Sequence, residues 1–377
     1  MDFLIKNGNV YDGAAHRFEK RDIALVKGRI AEPDPSYNYR LVVDAGGCIV
    51  APGLIDYHVH CFQHGDEIAV SPEATSFCCG ITTLVDGGSC GAGGYELFRR
   101  TAMSTSSVRI LSYLLAASGG QSNDRYPENL DPRYFDEDKI VELFARYRSE
   151  LVGLKTRISK NIIDPSIAEA SLARTVEIAE KAETRVIVHV TDCSMPLDKL
   201  AGMLRPGDVI CHIYQNRSEN TCLDADGKVL DGLWAARKRG VLFDASNGRG
   251  NYDLNTCRAA LAQGFVPDVI SSDMNYSGSF LQPLHSLPRV LSKYLDFGMS
   301  LEQVLDAAVT RPAELIGRPE LASMAVGTPA DVAIFELRKK PVSYFDVNGN
   351  TFDGTQVLVP MMTFKDGECM YCQADFA

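Results

Sequence analysis

The 377-residue chain sets 38 Lys and Arg against 49 Asp and Glu, a net charge of −11, and is 45% hydrophobic and 23% charged. It is long enough to bury a large core, and without a basic block nucleic acid and anionic membranes are not expected partners. No apolar run approaches the ~20 residues of a spanning helix, and MDFLIKNGNVYDG lacks a leader's basic-then-apolar order, so a cytoplasmic protein is expected.

In chain order, the first 50 residues read as short strands: FLIKNGNVYDG, RDIALVKGRIAEP and YRLVVDAGGCIVAPG. Asn7-Gly8 and Lys27-Gly28 are expected to be tight turns between them. From there to about residue 274, apolar strand-like runs alternate with amphipathic helical patterns such as 165–183 and 255–264. The runs are GLIDYHVH, ITTLVDGG, VRILSYLLAA, LVGLKTRIS, RVIVHV, DVICHI, VLFDASN and DVISSDM. Near-continuous apolar strands between helices indicate a parallel sheet covered on both faces, and eight βα units indicate a (β/α)8 barrel. A doubly wound open sheet is the alternative. Strands return at the end in ADVAIFEL, QVLVPMMTF and ECMYC. The expected fold is therefore α/β: a (β/α)8 TIM-like barrel over 51–324, with a small β-sandwich built from 1–50 and 325–377. Polar connections at 118–135 and 214–231 follow strands and are expected to be rim loops over the barrel's C-terminal face.

The eleven cysteines are odd in number and mostly sit in apolar runs, which fits reduced buried thiols better than a disulfide framework. Cys369 and Cys372 form a lone C-x-x-C, without the second pair that a zinc site usually shows.

Chemistry-bearing residues recur at the strand ends. His58 and His60 are two apart on one strand, so they share a face. By itself an H-x-H is more often a pair of solvated polar residues. Lys155 ends the fourth run, His189 the fifth, His212 the sixth and Asp273 the eighth, at intervals of 34, 23 and 61 residues. One βα unit of such a barrel is roughly 30 residues, so the last gap spans two units, with VLFDASN as a strand carrying no ligand. His189 or His212 alone would suit a core, Lys155 a snorkelling surface position and Asp273 a cap. All six at the C-terminal ends of barrel strands point to a metal site.

PGLIDYHVH, the GLK at 153–155, the two later histidines and SSD at 271–273 resemble the amidohydrolase superfamily, and GTPADVAIFE resembles its return strand. CGITTLVDGGS, VGLKTRIS and LRPGDVICHIY are similar to its dihydroorotase-related branch, which includes hydrolases of acylated hydroxy acids and N-acyl amino acids. The resemblance spans essentially the whole chain. It implies that His58, His60 and Asp273 hold one divalent metal ion and His189 and His212 a second, with Lys155 bridging both as a carbamate formed with carbon dioxide. A lysine amine kept neutral by burial and nearby positive charge is suited to that modification. Imidazole and oxygen ligands suit zinc first, then manganese, iron or nickel. A hydroxide shared by two ions would be the nucleophile, with Asp273 passing its proton to the leaving group.

The expected substrate is a small carboxylate-bearing molecule, an N-acyl amino acid or acylated hydroxy acid, and a homo-oligomer is compatible with this reading. Arg157 shares the inward face of Lys155 and is a candidate for a substrate carboxylate. Ser89, Tyr113, Asn216, Arg249 and Asn275 sit in or beside rim loops and are further substrate candidates. Three alternatives stand: a cyclic amidase of dihydroorotase or hydantoinase type, a serine hydrolase and a catalytically silent binding homologue. GGSCG at 87–91 is a formal G-x-S-x-G with Ser89 as nucleophile, and Asp273 and His285 follow it in the chain. That reading leaves the other strand-end residues unexplained. His189 leads into VTDC, without the H-x-x-E that a mononuclear deaminase would show. His16, His64 and His285 are read as loop or structural.

Overall fold

A computed structural model describes residues 2–123 and 125–376. Five strands open the chain: β1 (Phe3–Asp12), β2 (Arg17–Val26), β3 (Arg29–Ala31), β4 (Leu41–Asp44) and β5 (Ile49–Pro52). Seven follow between helices: β6 (Leu54–Val59), β7 (Ile81–Asp86), β8 (Arg109–Leu115), β9 (Leu151–Arg157), β10 (Val186–His189), β11 (Val209–Cys211) and β12 (Leu242–Asp244). β13 (Val332–Phe345), β14 (Thr351–Lys365) and β15 (Glu368–Cys372) close the chain.

The strands from the two termini form one mixed eight-stranded sheet, ordered β15-β14-β13-β5-β1-β2-β3 with β4 also on β1. It folds over its own apolar core. The rings of Phe3 and Phe364 meet edge to face at 5.0 Å, although β5 and β13 stand between their strands. Lys27-Gly28 makes the expected two-residue hairpin, with positive φ at both positions and Val26 paired to Arg29. Asn7-Gly8 does not turn the chain. It lies inside β1 as a bulge, where the register with β2 slips between Ile5 and Gly8 and Asn7 takes φ 61°. A Cβ on Gly8 would come 2.6 Å from Val50 Cγ2, so close packing onto β5 explains the glycine.

β6 to β12 form a seven-stranded parallel sheet in sequence order. The expected eighth strand does not reach regular geometry. Residues 269–274 close the ring by isolated parallel bridges, Val269 to Asp244 and Met274 to Val59. Every side chain of β6 and β7 is buried, as expected of strands covered by helices outside and packed residues inside. The two predicted helices span Pro165–Lys181 and Leu254–Ala262. Asp164 and Asp253 cap them through Ser166 N–H and Thr256 N–H.

All eleven cysteines are free, and Cys369 and Cys372 are exposed on β15. Among the described residues no helix is long and apolar enough to cross a membrane.

Candidate metal centre

The end of β6 carries His58 and then His60, Lys155 is on β9, His189 ends β10, and His212 follows β11. Asp273 stands in the segment that closes the ring. All six are buried, with Lys155 only 2% exposed. The imidazoles crowd together, with ring centroids 5.1 Å apart for His58 and His212 and 4.4 Å for His189 and His212. His58, His60, Lys155, His189 and Asp273 line a cavity of about 460 Å³, and His212 stands just behind it.

Backbone strain accompanies this convergence. His212, Ser246 and Asp273 have φ of 61°, 37° and 51°, a region costing non-glycine residues roughly 1–3 kcal/mol each. The strain turns side chains inward where their strands end. Gly87 and Gly88 leave room for them. A Cβ on Gly87 would lie 2.5 Å from His58 Cδ2, and one on Gly88 3.0 Å from Lys155 Cβ.

Hydrogen bonds fix the state of three imidazoles. His212 Nδ1 lies 2.8 Å from the Ser246 carbonyl oxygen, which can only accept, so Nδ1 carries the proton. Its Nε2 lone pair is buried with no partner in the protein. His58 Nδ1 is 3.1 Å from Ser246 Oγ, whose hydroxyl donates to Asp244 Oδ2 at 2.6 Å. His60 Nδ1 is 2.9 Å from Ser89 Oγ, whose hydroxyl donates to Asp86 Oδ2 at 2.9 Å. Each relay makes Nδ1 the donor and leaves Nε2 as a lone pair facing Asp273 Oδ1, at 3.8 Å for His58 and 3.6 Å for His60. Burial, followed by the neighbouring Lys155, pushes His60 down to about 3. Burial also lowers Lys155, whose Nζ is 3.3 Å from His58 Nε2, and raises Asp273 to about 7.

These donor sets suit divalent cations. His58, His212 and Asp273 offer ligand atoms within 4.8 Å of one another, and so do His58, Cys211 and Asp244. In the second set burial pushes the Cys211 thiol up to about 12, while Asp244 also accepts from Ser246 and Ser271. Buried imidazole lone pairs without protons to share, facing one carboxylate, are the donor chemistry of a metal-dependent hydrolase, and the chain is one.

It belongs to the amidohydrolase family, whose sequence pattern matches residues 49–369, within the dihydroorotase- and deacetylase-related branch. The chain is 30% identical over 310 residues to a deacetylase of Agrobacterium fabrum, covering 82% of this chain and 75% of that protein. It is 26% identical over 371 residues to a deacetylase of Enterococcus faecalis, covering 97% and 98%. The solved structure of a dihydroorotase superimposes with a TM-score of 0.88 at 26% identity, covering 98% of this chain and 99% of that one. An adenine deaminase structure gives 0.89 at 25% identity, covering 99% and 100%.

The substrate candidates separate by position. Arg157, Arg249 and Asn275 line the cavity. Arg157 Nη1 pairs with Glu128 at 3.1 Å, Arg249 Nε donates to the Gln282 carbonyl oxygen, and Asn275 caps a short helix through Gly278 N–H. Tyr113 is not a rim residue. It is fully buried on β8, and its hydroxyl donates to the Tyr57 carbonyl oxygen. Asn216 is exposed and outside the cavity lining. Ser89 is only 2% exposed and absent from that lining, because its hydroxyl is held between Asp86 and His60. His285 has no place beside it, since it lines a different cavity.

The strand read as carrying no ligand ends in Asp244, whose oxygens organise Ser246, Ser271 and, through Ser246, His58. It stands one βα unit beyond His212, the spacing that could have found it. Glu128 and Asn251 were also missed, since nothing local marks a loop residue whose partner is distant in sequence.

Ser89→Ala is expected to lower metal affinity and turnover by about 10–100-fold, because it loosens the orientation of His60. Titration of metal-stripped protein with zinc measures this. Complete loss of turnover in an enzyme indifferent to chelators would instead make Ser89 a nucleophile.

Proposed function

We propose that the protein hydrolyses the amide or ester bond of a small carboxylate-bearing molecule, an N-acyl amino acid or an acylated hydroxy acid. The observation that carries this is the convergence of His58, His60, Lys155, His189 and Asp273 on one cavity that Arg157 also lines. The two deacetylase relatives support it. In this reading His58, His60 and Asp273 would hold one divalent ion and His189 and His212 a second, with zinc the metal best matched to the donors. Lys155, with its amine kept neutral, would add carbon dioxide with release of one proton and so supply an anionic oxygen donor to the centre.

Such ions supply Lewis acidity and a water acidified enough to react near neutrality. The residues do the remainder. The hydroxyl relays hold His58 and His60 in one tautomer. Asp273 takes a proton from the attacking water and returns it to the departing amine or alkoxide. Asn251 Nδ2 donates to Asp273 Oδ2 at 2.7 Å and fixes that carboxylate. Arg157 offers its fork to the substrate carboxylate, exchanging one carboxylate partner, Glu128, for another.

Parallel assays of N-acyl amino acids, acylated hydroxy acids and cyclic amides, in both enantiomers, test the substrate class. Hydrolysis restricted to dihydroorotate or hydantoins would replace it with the cyclic-amidase reading. Arg157→Gln is expected to raise KM for a carboxylate substrate by about 10-fold or more, the worth of one charged hydrogen bond, with a smaller change in kcat. An unchanged KM would remove Arg157 from recognition.

A further inference from the structure

Beyond Arg249, which lines both spaces, lies a second cavity of about 310 Å³. Its polar side is formed by Arg249, Arg289, Lys293, His285 and Tyr252, and its apolar side by Leu284, Val290, Tyr344 and Phe345. Apart from Arg249, none of these residues lines the metal-centre cavity.

Three features mark a site for an anion. Cationic groups outnumber acidic ones, and Asp346, the carboxylate at the cavity, is already occupied. Its oxygens accept from the backbone N–H of Leu254, Asn348 and Asn350 and from Asn350 Nδ2. Among the described residues no carboxylate forms an ion pair with Lys293, Arg289 or Arg249. Next, Lys293 is only 6% exposed, yet its Nζ has one hydrogen-bond partner, Asn247 Oδ1 at 2.8 Å. Its ammonium form carries three N–H donors. Burial lowers Lys293 to about 7, where a bound anion would favour its charged form. Finally, two buried polar atoms lack a well-formed hydrogen bond: the hydroxyl of Tyr252, a residue 4% exposed whose near neighbour is the Cys257 thiol, and His285 Nε2. Lys293 Nζ also rests 3.5 Å from the Tyr252 ring centroid, a contact that satisfies its charge but not its remaining N–H donors. With the Tyr252 hydroxyl and His285 Nε2 beside it, the cavity has room for a partner that accepts hydrogen bonds. The apolar side shows what else that partner carries, since Phe345 and Leu284 stand 43% and 41% exposed at the cavity.

We propose that this cavity is a second ligand site, distinct from the metal centre, that binds a small organic carboxylate with a compact aromatic or apolar body. Its carboxylate oxygens accept from Lys293, Tyr252 and His285, and Arg289 closes the mouth. The body packs on Val290, Tyr344 and Phe345.

Crystals of the metal-loaded enzyme soaked with 4-bromobenzoate test this by anomalous scattering. The expected result is a bromine peak against Tyr344 and Phe345, with the carboxylate at Lys293 Nζ. Calorimetry in solution is expected to show binding weakened by about tenfold or more in Lys293→Met and in Arg289→Gln, with metal content and turnover unchanged. Arg289 is half-buried, so its variant keeps the test alive if Lys293→Met fails to fold. Bromine confined to the metal-centre cavity, bromine nowhere, or wild-type affinity in folded variants would overturn the proposal. Inorganic phosphate competing as well as benzoate would overturn the need for an apolar body.

Discussion

Lys155→Ala is expected to reduce kcat/KM by roughly 10³-fold or more and to leave a single bound ion or none where the proposed centre holds a pair. Several kcal/mol of transition-state charge stabilisation depend on the ions, and each 1.36 kcal/mol is a factor of ten. Lys155 stands among the imidazoles, and burial lowers its pKa. Its Nζ stands 3.3 Å from His58 Nε2 and 5.8 Å from the Tyr113 ring centroid, so the amine is packed from two sides. An alanine there would leave no amine to form the proposed carbamate. Metal analysis and kinetics on protein expressed with added zinc and bicarbonate measure both effects. Wild-type rates in the variant would remove the carbamate from the account.

Asp273→Asn is expected to lower kcat by about 10²–10⁴-fold, the range of general acid–base catalysis. The amide keeps the size of the carboxylate but cannot take a proton and return it. The fit at this position is tight: a Cβ on Gly248 would lie 1.8 Å from Asp273 Oδ2. Substrate affinity should change far less than kcat, since recognition is assigned to Arg157. A kcat within a few-fold of wild type would require another group to move the proton.

Most of the site was legible because it obeys a periodic rule. Strands in a parallel barrel end at one rim, so side chains one βα unit apart in sequence meet there, and His58, His60, Lys155, His189, His212 and Asp273 do meet. What stayed hidden depends on contacts that no spacing encodes. The relays through Ser89 and Ser246 place a hydroxyl between an imidazole and a carboxylate, and serine is too common a residue to signal that role. Tyr113 lies beside a rim loop in sequence, but the pleat of β8 turns it into the barrel. The pairing of Glu128 with Arg157 joins a loop to a strand 29 residues away. The eighth strand kept its position and lost its regularity, because positive φ at Asp273 is incompatible with an extended ladder. Asn7-Gly8 has the composition of a hairpin turn, yet serves as a bulge against β5. A glycine needed for close approach and one needed for a turn are the same letter in the sequence.

The central claim is that the six strand-end residues hold a pair of divalent ions. Its most direct test is elemental analysis of protein expressed with zinc and bicarbonate, before and after exhaustive chelation, with activity measured alongside. The account predicts two equivalents of transition metal per chain, loss of hydrolysis on their removal and recovery when zinc and bicarbonate are restored. Trace metal in a fully active preparation would contradict it.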